Sequence, residues 1–422
     1  MLGSSLTSSE IVRKAKQRGW YTIVTDNLTP ENSPVKKEAD AYWMISTAET
    51  DQLEEKCRTE GIDAIFAGVS EFNLDRVRTM TQNLGLPCYI EASAWEVARN
   101  KRAFKDKCKQ KGVPVVQEYL IPAEDDEAAW AKIVYPVVVK PVDGTGNSGL
   151  SICANRKELE EGIRKARANS SNPELIIERY ITGNETWNYY VIAEKTIRYA
   201  YSGRVFRQPG YPTFLYSFGT NVVDGIDDYL AEMNPQCVDL LEDIGCRDGM
   251  AWIQCIRDDK GNYYALEMAH RMSADSSGDL LEKCLGFNIV DWMLDTALGV
   301  RHTAEMLPQQ MARPYIGAMC VYYMFAEHAG CIEKMTGFDQ LDPELFQMTA
   351  IKKAGDNVGK YNVMVRFTFY VRDTEEMCQK LEYLNKVIDI RDTSGENLII
   401  RYTDYETVRT AHQGLIQEQN GD

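Results

Sequence analysis

The segment VVVKPVDGTGNSGLSI, residues 137–152, restricts the fold of this chain more than any other stretch. It places Lys140 in a β-branched run, follows it with Gly144, Gly146 and Gly149, and ends in a second apolar run. Two strands joined by a glycine-rich loop can lay backbone N–H groups against a polyphosphate, while a lysine on the strand supplies positive charge. Glycine suits such a loop because it has no Cβ to hold the backbone away from phosphate oxygens.

This segment differs from the two best-known glycine-rich phosphate motifs. The lysine precedes the glycines and no GK[ST] ending opens a helix, which excludes a Walker loop and a GxGxxG dinucleotide turn. An ordinary hairpin with a solvated lysine is the competing interpretation of the segment by itself. The other motifs of the chain therefore have to decide between a nucleotide site and a plain hairpin.

Length, charge and cysteine content limit the class of protein. A chain of 422 residues has room for two to three domains. Its net charge of -16 argues against a general affinity for nucleic acid or for an anionic membrane, because such partners need a basic face. The 11 cysteines without a CxxC pair are typical of a reducing compartment, and no apolar run reaches the length of a membrane span. We therefore expect a cytoplasmic protein without nucleic-acid or membrane partners.

The first hundred residues alternate between helical and strand patterns. Helices are predicted at residues 8–18 and near 51–59, and strands at 21–25 and 64–69, as in a parallel α/β sheet. Only Met1 and Leu2 precede the first glycine turn. The first strand of such a unit is therefore either missing or upstream of Met1.

A new unit begins near residue 98. A helix over 100–111 ends at Gly112 and is followed by a proline, which marks a helix stop. Beyond the glycine loop the patterns predict a charged helix at 156–168, a strand at 175–180 and a helix at 279–298. From residue 313 the chain reads as short strands, with a helix at 374–386 and a final strand at 398–402.

Two motifs contain candidate nucleotide ligands. Lys101 opens the helix over 100–111, although a solvated lysine is the competing interpretation there. The segment LIIERYITGNE ends an apolar strand at Glu178 and continues to Glu185. Extended backbone after a buried strand can read an adenine edge, and a nearby carboxylate can accept ribose hydroxyls. The alternative is an exposed turn with two ordinary glutamates.

A third motif, GMAWIQCIRDDKGNYYALEMAHR, is predicted to be a hairpin with strands at 252–256 and 263–268. Gln254 and Glu267 would then lie on neighbouring strands, where their oxygens suit Mg²⁺ or Mn²⁺. Arg271 follows four residues later and is shaped to grip a phosphoryl or carboxylate group.

In their order along the chain, these motifs resemble the ATP-grasp superfamily, which includes biotin carboxylase, D-alanine:D-alanine ligase and the carbamoyl phosphate synthetase large subunit. The resemblance implies an α+β ATP-grasp fold within the α/β class. It places an N-terminal parallel α/β domain at 1–98 and an ATP-grasp domain at 99–310, whose mobile lid covers about 115–182. A strand-rich α+β domain would follow at 311–422.

The resemblance also implies roles for individual residues. It assigns the phosphate contacts to Lys101, Lys140 and the loop that contains Gly144, Gly146 and Gly149. It assigns the adenine and ribose contacts to Glu178, Arg179, Tyr180, Ile181 and Glu185. Gln254 and Glu267 would hold the metal, and Arg271 would stabilise the phosphorylated substrate, with Lys140 as the second catalytic residue. The glutamine, followed by an EMxxRxS segment, is especially similar to the carbamoyl phosphate synthetase halves.

Two positions depart from the family pattern. Ala269 stands where asparagine is common and His270 where proline is frequent, so a second metal would be weakened or moved onto His270. The resemblance implies an ADP-forming ligase that joins a small carboxylate, plausibly an amino acid, to an amine through an acylphosphate. A weakened ATP-binding regulatory module, or an ATP-dependent kinase or carbamoyl phosphate synthetase-like enzyme, remains the alternative. Residues 201–221, with Arg204 and Arg207, are a candidate acceptor pocket or an exposed hairpin, and a homodimer is common in the superfamily.

Overall fold

The structure is a computed structural model that describes residues 1–416, except residues 6, 124, 143–148, 171, 213–214, 276 and 310–314. Within this part of the chain no helix is both long enough and apolar enough to cross a bilayer.

The N-terminal unit contains a two-stranded parallel sheet surrounded by helices. Its elements are α1 (Ser8–Gln17), β1 (Ile23–Thr25), α2 (Val35–Glu38), β2 (Ala41–Trp43), α3 (Thr50–Glu60), α4 (Glu71–Leu84) and α5 (Ala92–Arg99). The helices predicted at 8–18 and 51–59 are confirmed. The predicted strand at 64–69 is wrong, because no continuous ladder forms along it. The backbone N–H of Leu2 donates to the carbonyl of Phe66 at 2.8 Å, and the backbone N–H of Thr25 donates to the carbonyl of Met1 at 3.0 Å. Met1 and Leu2 therefore lie between β1 and the segment at 64–69.

The second unit is a small antiparallel sheet covered by a helix. Its elements are α6 (Lys101–Gln110), β3 (Glu118–Tyr119), α7 (Glu127–Trp130), β4 (Val137–Pro141), β5 (Ser151–Cys153), α8 (Arg156–Ala168) and β6 (Leu175–Arg179). The strands pair in the order β3-β6-β4-β5. Leu159, Ile163 and Ala166 of α8 pack on this sheet in a hydrophobic cluster of their own. The helix can approach the sheet closely because Gly162 has no Cβ; a Cβ there would lie only 2.6 Å from the side chain of Val139.

The largest sheet starts in the middle of the chain. This region contains β7 (Gly183–Ala193), β8 (Thr196–Phe206), β9 (Phe218–Thr220), α9 (Ile226–Glu232), α10 (Asn234–Asp243), β10 (Gly249–Asp258), β11 (Tyr263–Ala269), α11 (Gly278–Leu285) and α12 (Ile289–Ala297). The hairpin predicted around residues 258–261 is confirmed as β10 and β11. The helix predicted at 279–298 is two helices, because Gly286 ends α11 with φ +64 and the side chain of Asn288 caps α12.

The C-terminal elements complete the same sheet and add a separate three-stranded sheet. They are a 3-10 turn (Ala304–Met306), β12 (Ala318–Ala326), β13 (Gly330–Thr336), a 3-10 turn (Phe338–Gln340), β14 (Gln347–Ala350), β15 (Asn357–Val358), β16 (Val363–Val371), α13 (Thr374–Val387), β17 (Asp389–Asp392), β18 (Ile399–Ile400) and α14 (Tyr405–His412). Among the described residues nine strands pair in the order β11-β10-β7-β8-β9-β12-β16-β14, with β18 beside β12. The helix predicted at 374–386 is confirmed, and the predicted final strand shortens to Ile399–Ile400. The pairing of β9 with β12 carries the sheet across residue 310, and the domain limits drawn from the sequence stay predictions.

Candidate functional site

A cleft of about 770 Å³ lies between the four-stranded sheet and the nine-stranded sheet. We call it the intersheet cleft. Val138 and Ile152 line it from the smaller sheet, and Ile256 and Leu266 line it from the larger one. Apolar side chains supplied by both sheets suit a planar ring, while a few polar groups fix its orientation.

Most of the residues predicted to form a site meet in this cleft, although they are widely separated in the sequence. The lining includes Lys101, Lys140, Glu178, Arg179, Tyr180, Ile181, Glu185, Gln254 and Glu267. The described residue Gly149 has φ +75 and packs on Pro141, outside the lining of the cleft. The predicted phosphate-loop residues Gly144 and Gly146 lie outside the described residues.

Glu178 is the most buried charged residue of the cleft. Lys105 contacts one of its carboxylate oxygens and Lys140 contacts the other. Burial by itself would raise the pKa of Glu178, but Lys140 and Lys105 lower that pKa to about 2. The glutamate is therefore ionised across the physiological range, and it holds the ammonium of Lys140 at the wall of the cleft.

The sequence interpretation missed Lys105, which lies on α6 with a fully buried side chain. Burial is the main reason why the pKa of this lysine is lowered. Lys101 and Lys105 are four residues apart, so they share one face of the helix. That spacing, next to the buried Phe104 and Cys108, is the signal that could have identified Lys105.

Glu185 is held by three hydrogen-bond donors. Its carboxylate accepts from Arg207 at 2.6 Å, from the hydroxyl of Tyr216 at 2.9 Å and from the side-chain amide of Gln254 at 2.7 Å. The ring of Tyr216 meets Trp187 edge to face, with ring centroids 5.5 Å apart. This network fixes the carboxylate at the wall of the cleft, where the resemblance to the ATP-grasp superfamily implies a contact with the ribose.

Gln254 and Glu267 are direct cross-strand neighbours on β10 and β11, as the hairpin predicts. The ammonium of Lys101 lies 3.1 Å from the carboxylate of Glu267. Because the amide N–H of Gln254 donates to Glu185, its carbonyl oxygen is the atom left for a ligand. A carboxylate and an amide oxygen side by side form a donor set that fits Mg²⁺, which is held by few protein ligands plus water and phosphate.

Neither Ala269, the last residue of β11, nor His270, which follows the strand, contributes a further ligand to this pair. Ala269 carries no oxygen in its side chain. His270 lies on the opposite face of the strand, where its ring meets Tyr89 edge to face at 5.2 Å and its Nε2 is 2.9 Å from the carbonyl of Asp248. Burial lowers the pKa of His270 to about 4. The expectation that a metal could move onto His270 is therefore wrong, since the ring points into the interface with the N-terminal unit.

Arg271 does not line the intersheet cleft in this structure. Its guanidinium pairs with Glu71 at 2.9 Å, donates to the carbonyl of Met272 and lies 5.2 Å from the ring centre of Trp252. The ion pair links β11 to the start of α4. The predicted role of Arg271 in stabilising a phosphorylated substrate stays a prediction.

The two arginines of the predicted acceptor segment are already engaged. Arg207 binds Glu185, and Arg204 binds Asp224 and lies over the ring of Phe206. Both guanidinium groups are therefore paired with carboxylates of the protein itself. The segment does line a pocket, to which it contributes the aromatic side chains of Tyr201, Tyr216 and Phe218.

Comparisons of sequence identify a matching family model and distantly similar proteins. The model of the carbamoyl-phosphate synthase L chain, ATP binding domain, matches residues 100–199. The formate-dependent phosphoribosylglycinamide formyltransferase of Wolinella succinogenes is 26% identical over 186 residues, which are 43% of this chain and 47% of that protein. The chain thus spans less than half the length of this relative.

Two solved structures resemble the whole chain. The L-amino acid ligase from Bacillus licheniformis superimposes with a TM-score of 0.74 and 18% identity, over 93% of this chain and 98% of that one. The biotin carboxylase domain of Hydrogenobacter thermophilus 2-oxoglutarate carboxylase, solved with MgADP, ADP and bicarbonate, also has a TM-score of 0.74 and 18% identity, over 94% of this chain and 90% of that one. At this identity the likeness establishes the fold.

Proposed function

We propose that this chain, which has the ATP-grasp fold, is an ADP-forming ligase that joins a small carboxylate, such as an amino acid, to an amine. The observation that carries the proposal is the convergence of nine predicted ligands on one cleft between two sheets. Lysines, carboxylates and apolar walls in one cleft suit a nucleoside triphosphate. The matched ATP-binding domain model covers the segment that contains Lys101, Lys140 and Glu178.

The proposed reaction has two steps. A carboxylate oxygen attacks the γ-phosphorus of ATP, and the bond from this phosphorus to the β–γ bridging oxygen breaks. ADP departs and the acylphosphate remains. The amine nitrogen then attacks the acyl carbon, the C–N bond forms, phosphate departs and the nitrogen loses a proton. Catalysis of such a transfer consists mostly of positioning and charge neutralisation.

The residues of the cleft provide these two functions. Lys140, anchored by Glu178, brings a fixed ammonium to the phosphates, and Lys101 brings a second one next to Glu267. Gln254 and Glu267 would hold Mg²⁺, which neutralises phosphate charge when it is bound. Glu185, fixed by its three donors, would orient the ribose.

One observation favours a second candidate function. Because Ala269 supplies no oxygen at a position where the family commonly has asparagine, the protein could bind ATP as a regulatory module without turning it over. Nucleotide binding without ADP formation would support this alternative. A phosphorylated product without an amide would instead support an ATP-dependent kinase.

Release of ADP and phosphate tests the proposed ligase. The purified protein is incubated with Mg-ATP and pools of amino acids and small carboxylates, beside the variant Lys140→Ala. Lys132→Ala, which changes an exposed lysine of the same unit, is the matched control. We expect amino-acid-dependent ADP formation in the wild type and the control, and its loss in Lys140→Ala. Equal activity in Lys140→Ala would contradict the assignment of the cleft.

A further inference from the structure

A second pocket, which we call the aromatic pocket, lies beside the intersheet cleft and has a volume of about 320 Å³. It lies on the nine-stranded sheet, and its lining comes chiefly from β7, β8, β9 and β12. Seven of its lining residues are aromatic: Trp187, Tyr189, Tyr201, Tyr216, Phe218, Tyr323 and Phe325. The volume falls within the range of small-molecule sites, about 300–1,000 Å³.

Two glycines form part of the lining where strands would ordinarily carry side chains. Gly203 lies opposite Trp187, and Gly219 lies opposite Val205 and Val321, so these residues share one face of the sheet. Neither glycine has a positive φ. A Cβ at Gly203 or Gly219 would come no closer than 3.7 Å or 3.5 Å to its neighbours, which are ordinary contacts. The backbone therefore does not require glycine here, and the effect of both residues is to leave open space above the sheet.

The charge of the pocket comes from Asp275. The hydroxyl of Tyr323 donates to one of its oxygens, and a carboxylate has capacity for further donors. Arg204 also lines the pocket, but its guanidinium binds Asp224 and lies over Phe206 on the opposite face of β8. Arg366, opposite Tyr323, does not line the pocket; its guanidinium donates to the carbonyl of Ala274 at 2.6 Å and also lies beside the hydroxyl of Tyr323. A carboxylate surrounded by aromatic rings attracts an organic cation.

The aromatic pocket and the intersheet cleft share a wall, because Trp187 and Tyr216 line both. Trp187 is also the cross-strand neighbour of Gln254, one of the proposed metal ligands. From Gln254 to Gly203 is two strand spacings, roughly 10 Å. A molecule in the aromatic pocket would therefore be close to a phosphate held at Gln254 and Glu267.

From these contacts we propose that the aromatic pocket binds a primary amine with a planar aromatic body. Its ammonium lies at Asp275 and its ring lies above the two glycines, between the aromatic side chains. The role of this amine as the second substrate rests on the proposed ligase function. Its binding does not, because Asp275 and the aromatic rings do not depend on ATP.

Isothermal titration calorimetry without nucleotide tests the pocket, with 2-phenylethylamine as the probe and phenylacetate as the matched anion. The pocket-filling variant is Gly219→Val, and the charge variant is Asp275→Asn. Thr196→Val, at the exposed far end of β8, is the control. ATP is titrated into every protein as a separate measurement of fold and of the intersheet cleft.

We expect the wild type and Thr196→Val to bind the amine at least tenfold more tightly than phenylacetate. Gly219→Val should raise the Kd of the amine at least tenfold, and Asp275→Asn should remove the preference for the amine, with unchanged ATP affinity in both. Absence of amine binding, equal binding of phenylacetate, or an unaltered Kd in Gly219→Val would overturn the proposal. If the wild type does not bind ATP, the proposed ligase function is contradicted. The amine titration still decides whether the aromatic pocket binds the amine, because that measurement is made without nucleotide.

Discussion

Replacement of Lys105 by methionine perturbs the charge cluster that anchors the intersheet cleft. The lysine is fully buried and contacts one oxygen of Glu178, while Lys140 contacts the other. Methionine keeps the length and the apolar stem of the side chain but removes the ammonium. Glu178 would then remain buried with one cation instead of two, so its ionised form is less well compensated.

The magnitude of the effect follows from the pKa of Glu178 and from the general cost of breaking a buried pair. The pKa of Glu178 falls from 4.5 to about 2 in the folded protein. At about 1.36 kcal/mol per pKa unit, this corresponds to about 3 kcal/mol of folding free energy. Removal of one partner of a buried ion pair costs about 3–5 kcal/mol. Because Lys140 remains and contributes more to this shift than Lys105 does, we expect Lys105→Met to destabilise the four-stranded unit by less than the whole amount, roughly 2 kcal/mol.

The effect should also depend on pH in a defined direction. A carboxyl group with a lowered folded pKa stabilises the protein above its unfolded pKa of 4.5, and this contribution disappears as the pH falls towards about 2. The difference in stability between the wild type and Lys105→Met should therefore be largest near pH 7 and should decrease below pH 4.5.

Hydrogen exchange of peptides from β4 and β6 is the suitable assay, because a chain with several hydrophobic clusters need not unfold in one step. Lys107→Met is the matched control. It lies on the same helix, is 36% exposed and pairs with Asp243 at 2.9 Å, so it should cost at most about 1 kcal/mol. If Lys105→Met changes the opening free energy of β4 and β6 no more than this control does, the buried cluster does not stabilise the cleft.

Three further predictions concern the cleft and its supports. Glu267→Gln should raise the Mg²⁺ concentration required for half-maximal ADP formation at least tenfold, whereas metal-free ATP binding persists; an unchanged Mg²⁺ requirement would contradict the metal assignment. His270 has a pKa lowered from 6.5 to about 4, so wild-type stability should fall by about 3 kcal/mol as the pH drops through that window, and denaturation of His270→Phe should lack this component. Gly149→Ala should lower the melting temperature more than Gly61→Ala, because both glycines have positive φ but only the Cβ at residue 149 would press on Pro141, at 3.2 Å; equal shifts would refute this reasoning.

Local patterns in the sequence were sufficient to predict much of the framework. The period of two in the segments before and after residues 258–261 predicts a hairpin with Gln254 beside Glu267, and the structure pairs these residues directly. Glycine and asparagine at helix ends are local signals of the same kind. They explain why the bounds predicted for α8 agree with the structure, and why overlooking the stop at Gly286 merged α11 with α12.

Contacts between distant parts of the chain could not be read from such patterns. The predicted strand at 64–69 is wrong because an apolar run becomes a strand only when a ladder forms beside it. Leu2 donates one hydrogen bond to the carbonyl of Phe66, but its β-bridge is with Thr25. Arg204 and Arg207 look like substrate ligands in the sequence, yet their guanidinium groups bind Asp224 and Glu185. A long cationic side chain pairs with the carboxylate that the fold brings near it, and the periodicity of the sequence does not show which carboxylate that is.

The sequence by itself identified many of the residues that line the intersheet cleft, since the order and spacing of the lysine and carboxylate motifs are properties of the chain. The tertiary structure alone decided that Lys105 neutralises Glu178 and that Trp187, Gly203, Gly219 and Asp275 border one aromatic pocket. The physical reason is strand order. Pairing of β7, β8, β9 and β12 is stabilised by the burial of whole faces of the sheet, so the residues that meet there are fixed by global packing rather than by local sequence.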